Sequence, residues 1–194
     1  MKDTLFTIPY WKFKLSNWTQ SKKDITSLLN QYPCIKHEDQ NFLTNRRLPP
    51  DKASVFLNEC LKLFADPLQE FVQEIKSNLK VTRAFATAYD KGHDHLLHNH
   101  GKSLFTLMAY IDLDPKNHSG TIYKQPFNQF DSGNVAFTIP EVAEGDITIF
   151  PSIIEHFSPV NSSSKRKTII AMDLDFHDQL NFYRYNQYWL PDHD

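Results

Sequence analysis

Four of the chain's nine histidines, His93, His95, His98 and His100, fall within eight residues. In an extended segment residues i and i+2 share a face, so His98 and His100 can aim at one point. Two imidazoles aimed together suit Fe, Zn, Cu or Ni, and the pair alone selects none of them. The bland alternative is a histidine-rich surface loop. His93 and His95 precede the better strand candidate and have no partner legible in the sequence. They read as structural, or as lining the mouth of a cavity.

A second group lies further on, Glu144-Gly145-Asp146-Ile147-Thr148-Ile149-Phe150-Pro151, followed by Glu155-His156. Gly145-Asp146 reads as a tight turn into a strand that Pro151 ends. His156 then sits in the loop or strand start beyond. A lone histidine there is ordinarily structural. Its weight comes from Arg166, ten residues on, where Arg166-Lys167-Thr168 opens the apolar run Ile169-Ile170-Ala171-Met172. The bland reading of Arg166 is one more surface cation in a basic stretch.

The elements that must position these residues change character along the chain. Ile25, Leu28, Leu29 and Tyr32 recur at helical spacing after a capping-box-like Ser21 and Asp24, and Pro33 stops that helix. Phe56, Cys60, Leu63 and Phe64 form one further stripe, and Leu68, Phe71, Val72, Ile75 and Leu79 another, with Pro67 between them. After Lys80 the period becomes two. Ala84, Ala86 and Ala88 alternate with Phe85, Thr87 and Tyr89, and an apolar run spans Leu104 to Leu113. Short strands are expected at about 121–124, 135–139, 146–150 and 168–176, separated by turn signals such as Asp114-Pro115 and Ser132-Gly133. Helices first and many short strands after predict an α+β chain with an antiparallel sandwich, jelly roll or barrel. We expect one domain over 1–194: a mainly helical portion to 80, a β-barrel core over 81–178 and an aromatic tail over 179–194.

Composition excludes several functions. The 194 residues carry 21 Lys plus Arg against 23 Asp plus Glu, a formal charge of −2, so a large electrostatic footprint for nucleic acid or anionic membrane is not expected. No apolar run approaches the ~20 residues of a membrane-spanning helix, and the opening MKDTLFTIPYWKFK lacks the apolar centre of a secretory signal. Two cysteines, Cys34 and Cys60, make neither a zinc pattern nor a disulfide framework, so a reducing, cytoplasmic setting is expected. With five glycines there is no phosphate-cradling loop, and no Gly-x-Ser-x-Gly occurs.

Taken in order, Tyr89, Gly92, His98, His100, Tyr110, Phe150, Pro151, His156 and Arg166 resemble the iron(II)- and 2-oxoglutarate-dependent oxygenases, in particular the small ones often encoded by phages and marine bacteria. The resemblance covers about residues 83 to 176. It implies a double-stranded β-helix, a cupin-like jelly-roll barrel, with the N-terminal helices on one face. It implies Fe(II) held by His98, His100 and His156, with positions left for 2-oxoglutarate and O2. It implies that Arg166 meets the distal carboxylate of 2-oxoglutarate, helped by Thr168 two residues on and by Tyr110 from a neighbouring strand. The substrate implied is a small molecule or a protein side chain, hydroxylated with succinate and CO2 as co-products. One departure stands out. The usual first pair is His-x-Asp or His-x-Glu, whereas this chain has His98-Asn99-His100. Either His100 is the third ligand, or the site has two histidines only, or a carboxylate such as Asp94 completes it; the shared face of His98 and His100 favours the first.

Two other readings stay open. A three-histidine cupin would share the barrel and need no oxoacid, but its motif glutamate is missing from 101–106 and it gives Arg166 no task. A non-enzymatic binding module would use its histidines for structural zinc or for nothing, and the aromatic stretch Phe182 to Leu190 as an interface.

Overall fold

The computed structural model describes residues 7–101 and 103–176. Its elements, in chain order, are β1 (Trp11–Lys14), α1 (Trp18–Gln31), β2 (Ile35–Lys36), β3 (Leu43–Thr44), α2 (Pro50–Leu63), α3 (Ala65–Ile75), β4 (Leu79–Tyr89), β5 (His95–His98), β6 (Phe105–Asp112), β7 (Ile122–Lys124), β8 (Phe137–Thr138), β9 (Asp146–Pro151), β10 (His156–Ser158) and β11 (Lys167–Phe176). They form two antiparallel sheets. The larger has the order β1-β9-β6-β11-β4-β3-β2, the smaller β5-β10-β7-β8. Two such sheets face to face make the expected jelly roll.

Alternation along the large sheet sorts its side chains into two cores. Ala84, Ala86, Leu107, Ala109, Ile111, Ile147, Ile149, Ile170, Met172 and Leu174 point to the helix side. There they meet Ile25 and Leu28 of α1, Phe56 and Cys60 of α2, and Phe71 and Ile75 of α3. Small alanines in β4 leave room for the aromatic rings of the helices to lie close to the sheet. The opposite face carries Tyr89, Met108, Tyr110, Phe150 and Ile169, which pack inside the barrel with Phe42 and Tyr123.

The N-terminal portion is less helical than its stripes suggest. β1 pairs with β9 and β3 with β4, so residues before 80 extend the large sheet at both edges. α1 begins at Trp18, three residues before the expected Ser21 cap, behind Asn17 in the left-handed region at φ 48°. Ser21 Oγ donates instead to the Ser16 carbonyl. The early start has a partner: the Trp18 ring lies where a Cβ on Gly145 would be, 2.9 Å away. Gly145 also sits at φ +81°, so any side chain would both strain the turn into β9 and strike the indole. The helical break falls at Phe64, and Pro67 is in the first turn of α3, where its missing N–H costs nothing. The aromatic stretch Phe182 to Leu190 lies outside the described residues.

Candidate metal centre

β5 and β10 run side by side in the small sheet, and their pairing sets His98 directly opposite His156. His100, two residues past the end of β5, is held by a bond from its backbone N–H to the Ser152 carbonyl. The potential ligand atoms of His98, His100 and His156 all lie within 4.8 Å of one another.

The hydrogen bonds decide which nitrogen each ring presents. His98 Nδ1 is 2.8 Å from the Leu96 carbonyl, His156 Nδ1 is 2.9 Å from the Ile154 carbonyl, and His100 Nδ1 is 2.6 Å from Asp173 Oδ1. Carbonyls and a carboxylate only accept, so each Nδ1 carries the proton and each Nε2 is left with its lone pair. His156 Nε2 is buried and has no partner among the described residues. An orphaned lone pair in the interior is costly unless something fills it. Burial pushes His98 down to about 4 and His156 down to about 3, with the neighbouring imidazoles adding to the effect on both. Both rings are therefore neutral, and able to ligate, at ordinary pH. Three Nε2 atoms, each on a ring fixed by a partner at its other nitrogen, fit a divalent transition metal.

Asp173 is the partner that sequence reasoning overlooked. It lies in β11, almost fully buried, and holds His100 on one oxygen while Arg83 Nε donates to the other at 2.7 Å. Burial alone would raise its pKa, but His100 and Arg83 outweigh that and lower it. Asp94, the alternative carboxylate ligand, accepts from the Asn41 side chain and stands apart from the three histidines. His93 Nδ1 accepts the Asp90 N–H within a turn, whereas His95 reaches the cavity wall.

The cavity around the triad is lined by Phe85, Thr87, Tyr89, Met108, Thr121, Ser158, Ile169 and Ala171 among others. None of the three residues expected to anchor a cosubstrate is on its wall. Arg166 lies outside and clasps Asp90 with two hydrogen bonds, Nε to Oδ1 at 2.7 Å and one Nη to Oδ2 at 2.9 Å. Thr168 is buried but shares the alternation of Ile170, Met172 and Leu174, which face the helices. The slip is one residue, and one residue exchanges the faces of a strand. Tyr110 is buried on the barrel side, and its hydroxyl donates to Thr121 Oγ1 at 3.0 Å, one side chain behind the wall.

Lys167 is a buried cation on the barrel side, although like Arg166 it is not on the wall of the cavity. It pairs across β4 with Tyr89, is 3% exposed, and holds Nζ 5.2 Å over the Tyr89 ring. Its Nζ donates to the Ser119 carbonyl and to Ser158 Oγ, both at 2.9 Å, and no carboxylate pairs with it among the described residues. Burial lowers its pKa to about 8. A buried ammonium without a counter-ion is rare, because desolvation is repaid only by an anion. The signal was present in the sequence: Asp173 is a charge inside an apolar strand, and it marks the odd-numbered face on which Lys167 also lies.

Similar solved structures share this architecture throughout. HygX from Streptomyces hygroscopicus, with nickel and 2-oxoglutarate bound, matches over 87% of this chain and 83% of its own, at TM-score 0.63 and 13% identity. A 2OG-Fe(II) oxygenase family protein from Burkholderia pseudomallei matches over 86% and 84%, at TM-score 0.64 and 12% identity. This chain has the fold of the 2OG-Fe(II) oxygenases. A prolyl-4-hydroxylase from Pseudomonas putida shares the oxygenase fold over 89% of this chain and 95% of its own, at TM-score 0.61 and 11% identity. No family model and no curated protein matches the sequence significantly.

Proposed function

We propose that this protein is an Fe(II)- and 2-oxoglutarate-dependent oxygenase, with His98, His100 and His156 as the metal ligands. The convergence of three lone-pair-bearing Nε2 atoms inside the oxygenase fold carries the proposal. Lys167 replaces Arg166 as the residue that binds the distal carboxylate of 2-oxoglutarate. Its third donor is unspent, and a carboxylate would supply the charge that its burial lacks. Tyr89 forms the floor beneath the ammonium, and Ser158 orients it. Phe85, Met108, Ile169 and Phe157 give the cavity beside the triad an apolar wall. Asp173 holds the proton of His100 on Nδ1 and so keeps that ligand aimed. When bound, Fe(II) supplies the activation of O2 that converts substrate C–H, 2-oxoglutarate and O2 to C–OH, succinate and CO2.

The substrate class includes small molecules and protein side chains; HygX is solved with hygromycin B, which supports the first. A cytoplasmic setting is supported by Cys34 and Cys60, both free thiols that burial pushes up to about 12. No helix among the described residues is long and apolar enough to cross a membrane.

The test is anaerobic visible absorption of the protein titrated with Fe(II) and then with 2-oxoglutarate. A charge-transfer band that needs both additions and is lost in Lys167→Met is expected. Iron binding with no response to 2-oxoglutarate would move the protein to the three-histidine cupin reading, and absence of iron binding would remove the enzyme.

A further inference from the structure

The small sheet ends on β8, which among the described residues has a strand partner on one side only. Its register with β7 sets Thr138 opposite Tyr123 and Phe137 opposite Lys124. One residue further along, the Gln125 N–H donates to the Ala136 carbonyl at 2.8 Å, so the even-numbered positions bond to β7. In an antiparallel pair the alternate positions turn their N–H and C=O away from that partner. Here those positions are Val135, Phe137 and Ile139. Their side chains share one face as well, since faces alternate with the same period. They are 47%, 51% and 55% exposed, whereas Ala136 between the first two is buried. Thr138 faces the barrel with its partner Tyr123, so the three apolar side chains stand on the outer face.

Open sheet edges are ordinarily guarded by a lysine, a proline or a bulge, or else they are covered. The other edges of this molecule follow that rule. β1 carries Lys12 and Lys14, β2 carries Lys36, and β5 is irregular in its pairing with β10. β8 has no such device. Between Gly133 and Pro140 there is neither a charge nor a proline, and its register with β7 is regular. Over residues 125–140 the one formal charge is Asp131. The edge is also preformed. The Gln129 N–H donates to the Asn134 carbonyl and the Gly133 N–H to the Gln129 carbonyl, both at 2.8 Å, and Phe130 at the tip of this hairpin is fully exposed.

We propose that β8 pairs with β8 of a second copy of this chain, antiparallel about a two-fold axis at Phe137, joining two four-stranded sheets into one. A two-fold axis presents the same patch from both sides. Phe137 then meets its own copy, and Val135 meets Ile139 of the second copy. Every outer-face contact is apolar against apolar, and no charge in the strand opposes itself. Phe130, Val135, Phe137 and Ile139 offer about 500 Å² of apolar surface per copy, about 1,000 Å² for the pair, which is the lower bound for a specific interface. That area, with the added backbone ladder, fits a dimer that dissociates at roughly micromolar concentration. β7 stands between β8 and β10, so the pairing leaves His156 in its own chain's cavity. The dimer does not depend on the oxygenase reading.

The test is light scattering and sedimentation velocity of the full chain from about 1 µM to several hundred µM, with amide exchange at both ends of the range. The mass should rise from one chain to two, and the amides of Val135, Phe137 and Ile139 should exchange more slowly in the dimer. Phe137→Lys places like charges against each other at the axis and should weaken association by about tenfold or more, with an unchanged circular dichroism spectrum. Val135→Lys and Ile139→Asp should each weaken it, and the double variant should recover part of the loss, because the two positions face each other across the axis. Leu96→Lys, on the opposite edge strand, should leave the dimer intact. A monomer at every concentration would overturn the proposal and leave this edge to a different protein. So would a dimer indifferent to Phe137→Lys, one whose β8 amides exchange as in the monomer, or one that Leu96→Lys breaks as effectively.

Discussion

The two faces of β11 belong to the same ten residues, yet they do opposite work. Ile170, Met172 and Leu174 enter the apolar core shared with the helices, where the interaction is close packing. Lys167, Ile169, Ala171 and Asp173 face the barrel, where two charges sit almost wholly out of water. Burying apolar area stabilises the fold, whereas burying a lysine and an aspartate costs stability unless each is answered. Asp173 is answered within the chain by His100 and Arg83. Among the described residues Lys167 is answered by the Ser119 carbonyl, Ser158 Oγ and the Tyr89 ring. The strand thus draws stability from one face and carries two costly buried charges on the other.

The largest break of that contrast is at the point where the small sheet meets the barrel face. His156→Ala removes a ligand outright, and metal affinity should fall by more than the ~10–100-fold typical of losing a ligand's supporting partner. Metal content after dialysis measures it, while circular dichroism should stay unchanged. Full metal occupancy in this variant would show that the three histidines do not form the site. The helix face should respond in the reverse sense. Ile170→Ala leaves a cavity in a fully buried site and should cost about 2–5 kcal/mol in urea unfolding, with metal stoichiometry retained. Loss of metal there would mean that the two faces are coupled and not separate.

How much of this was legible follows the same division. The α+β class, the helix stripes and the alternation of Ala84, Ala86 and Ala88 against Phe85, Thr87 and Tyr89 are periodic signals, and the structure displays them. The histidines singled out by type and spacing come together because β5 and β10 pair, a long-range event to which sequence order only points. Three things were hidden. The irregular pairing of β5 with β10, which sets His95 opposite Ser158 and His98 opposite His156, leaves no mark in a four-residue strand. The edge strands before residue 80 are too short to show a period. Arg166 was singled out for its spacing from His156 and because a guanidinium suits a carboxylate, yet just before β11 it pairs with Asp90 at the surface, and its neighbour Lys167 is the buried cation. The charged Asp173, on the same face of β11 as Lys167, was the available marker.

Lys167→Met sharpens the comparison on the barrel face. Its 2-oxoglutarate dissociation constant should rise about 10- to 100-fold, read by the anaerobic absorption titration. Stability should respond in a pH-dependent way. The folded pKa of Lys167 is lowered to about 8 from 10.5, so between these values the unfolded chain binds the extra proton and wild-type stability rises with pH. The full span is worth roughly 3 kcal/mol, with the penalty complete below pH 8. The Met variant should lack this rise, and saturating 2-oxoglutarate should reduce it in the wild type by keeping the ammonium charged. An identical stability–pH profile in wild type and variant would mean that the ammonium is hydrated and not held for an anion.

The smallest effect is expected from Arg166→Ala, and its smallness is informative. Arg166 and Asp90 form an exposed pair with side chains 51% and 42% accessible, and such pairs contribute about 0–1 kcal/mol. Asp90, whose carboxyl Arg166 holds below its usual range, would lose its partner but keep water. 2-Oxoglutarate affinity should stay within about twofold of wild type, because the guanidinium lies outside the barrel and the backbone of β11 beyond it stays paired with β4 and β6. A tenfold loss would require Arg166 to leave Asp90 and swing inward on binding. The double variant Asp90→Ala with Arg166→Ala separates the two cases: a swinging arginine makes the Asp90→Ala single variant bind 2-oxoglutarate more tightly than wild type, whereas a fixed surface pair leaves all three proteins alike.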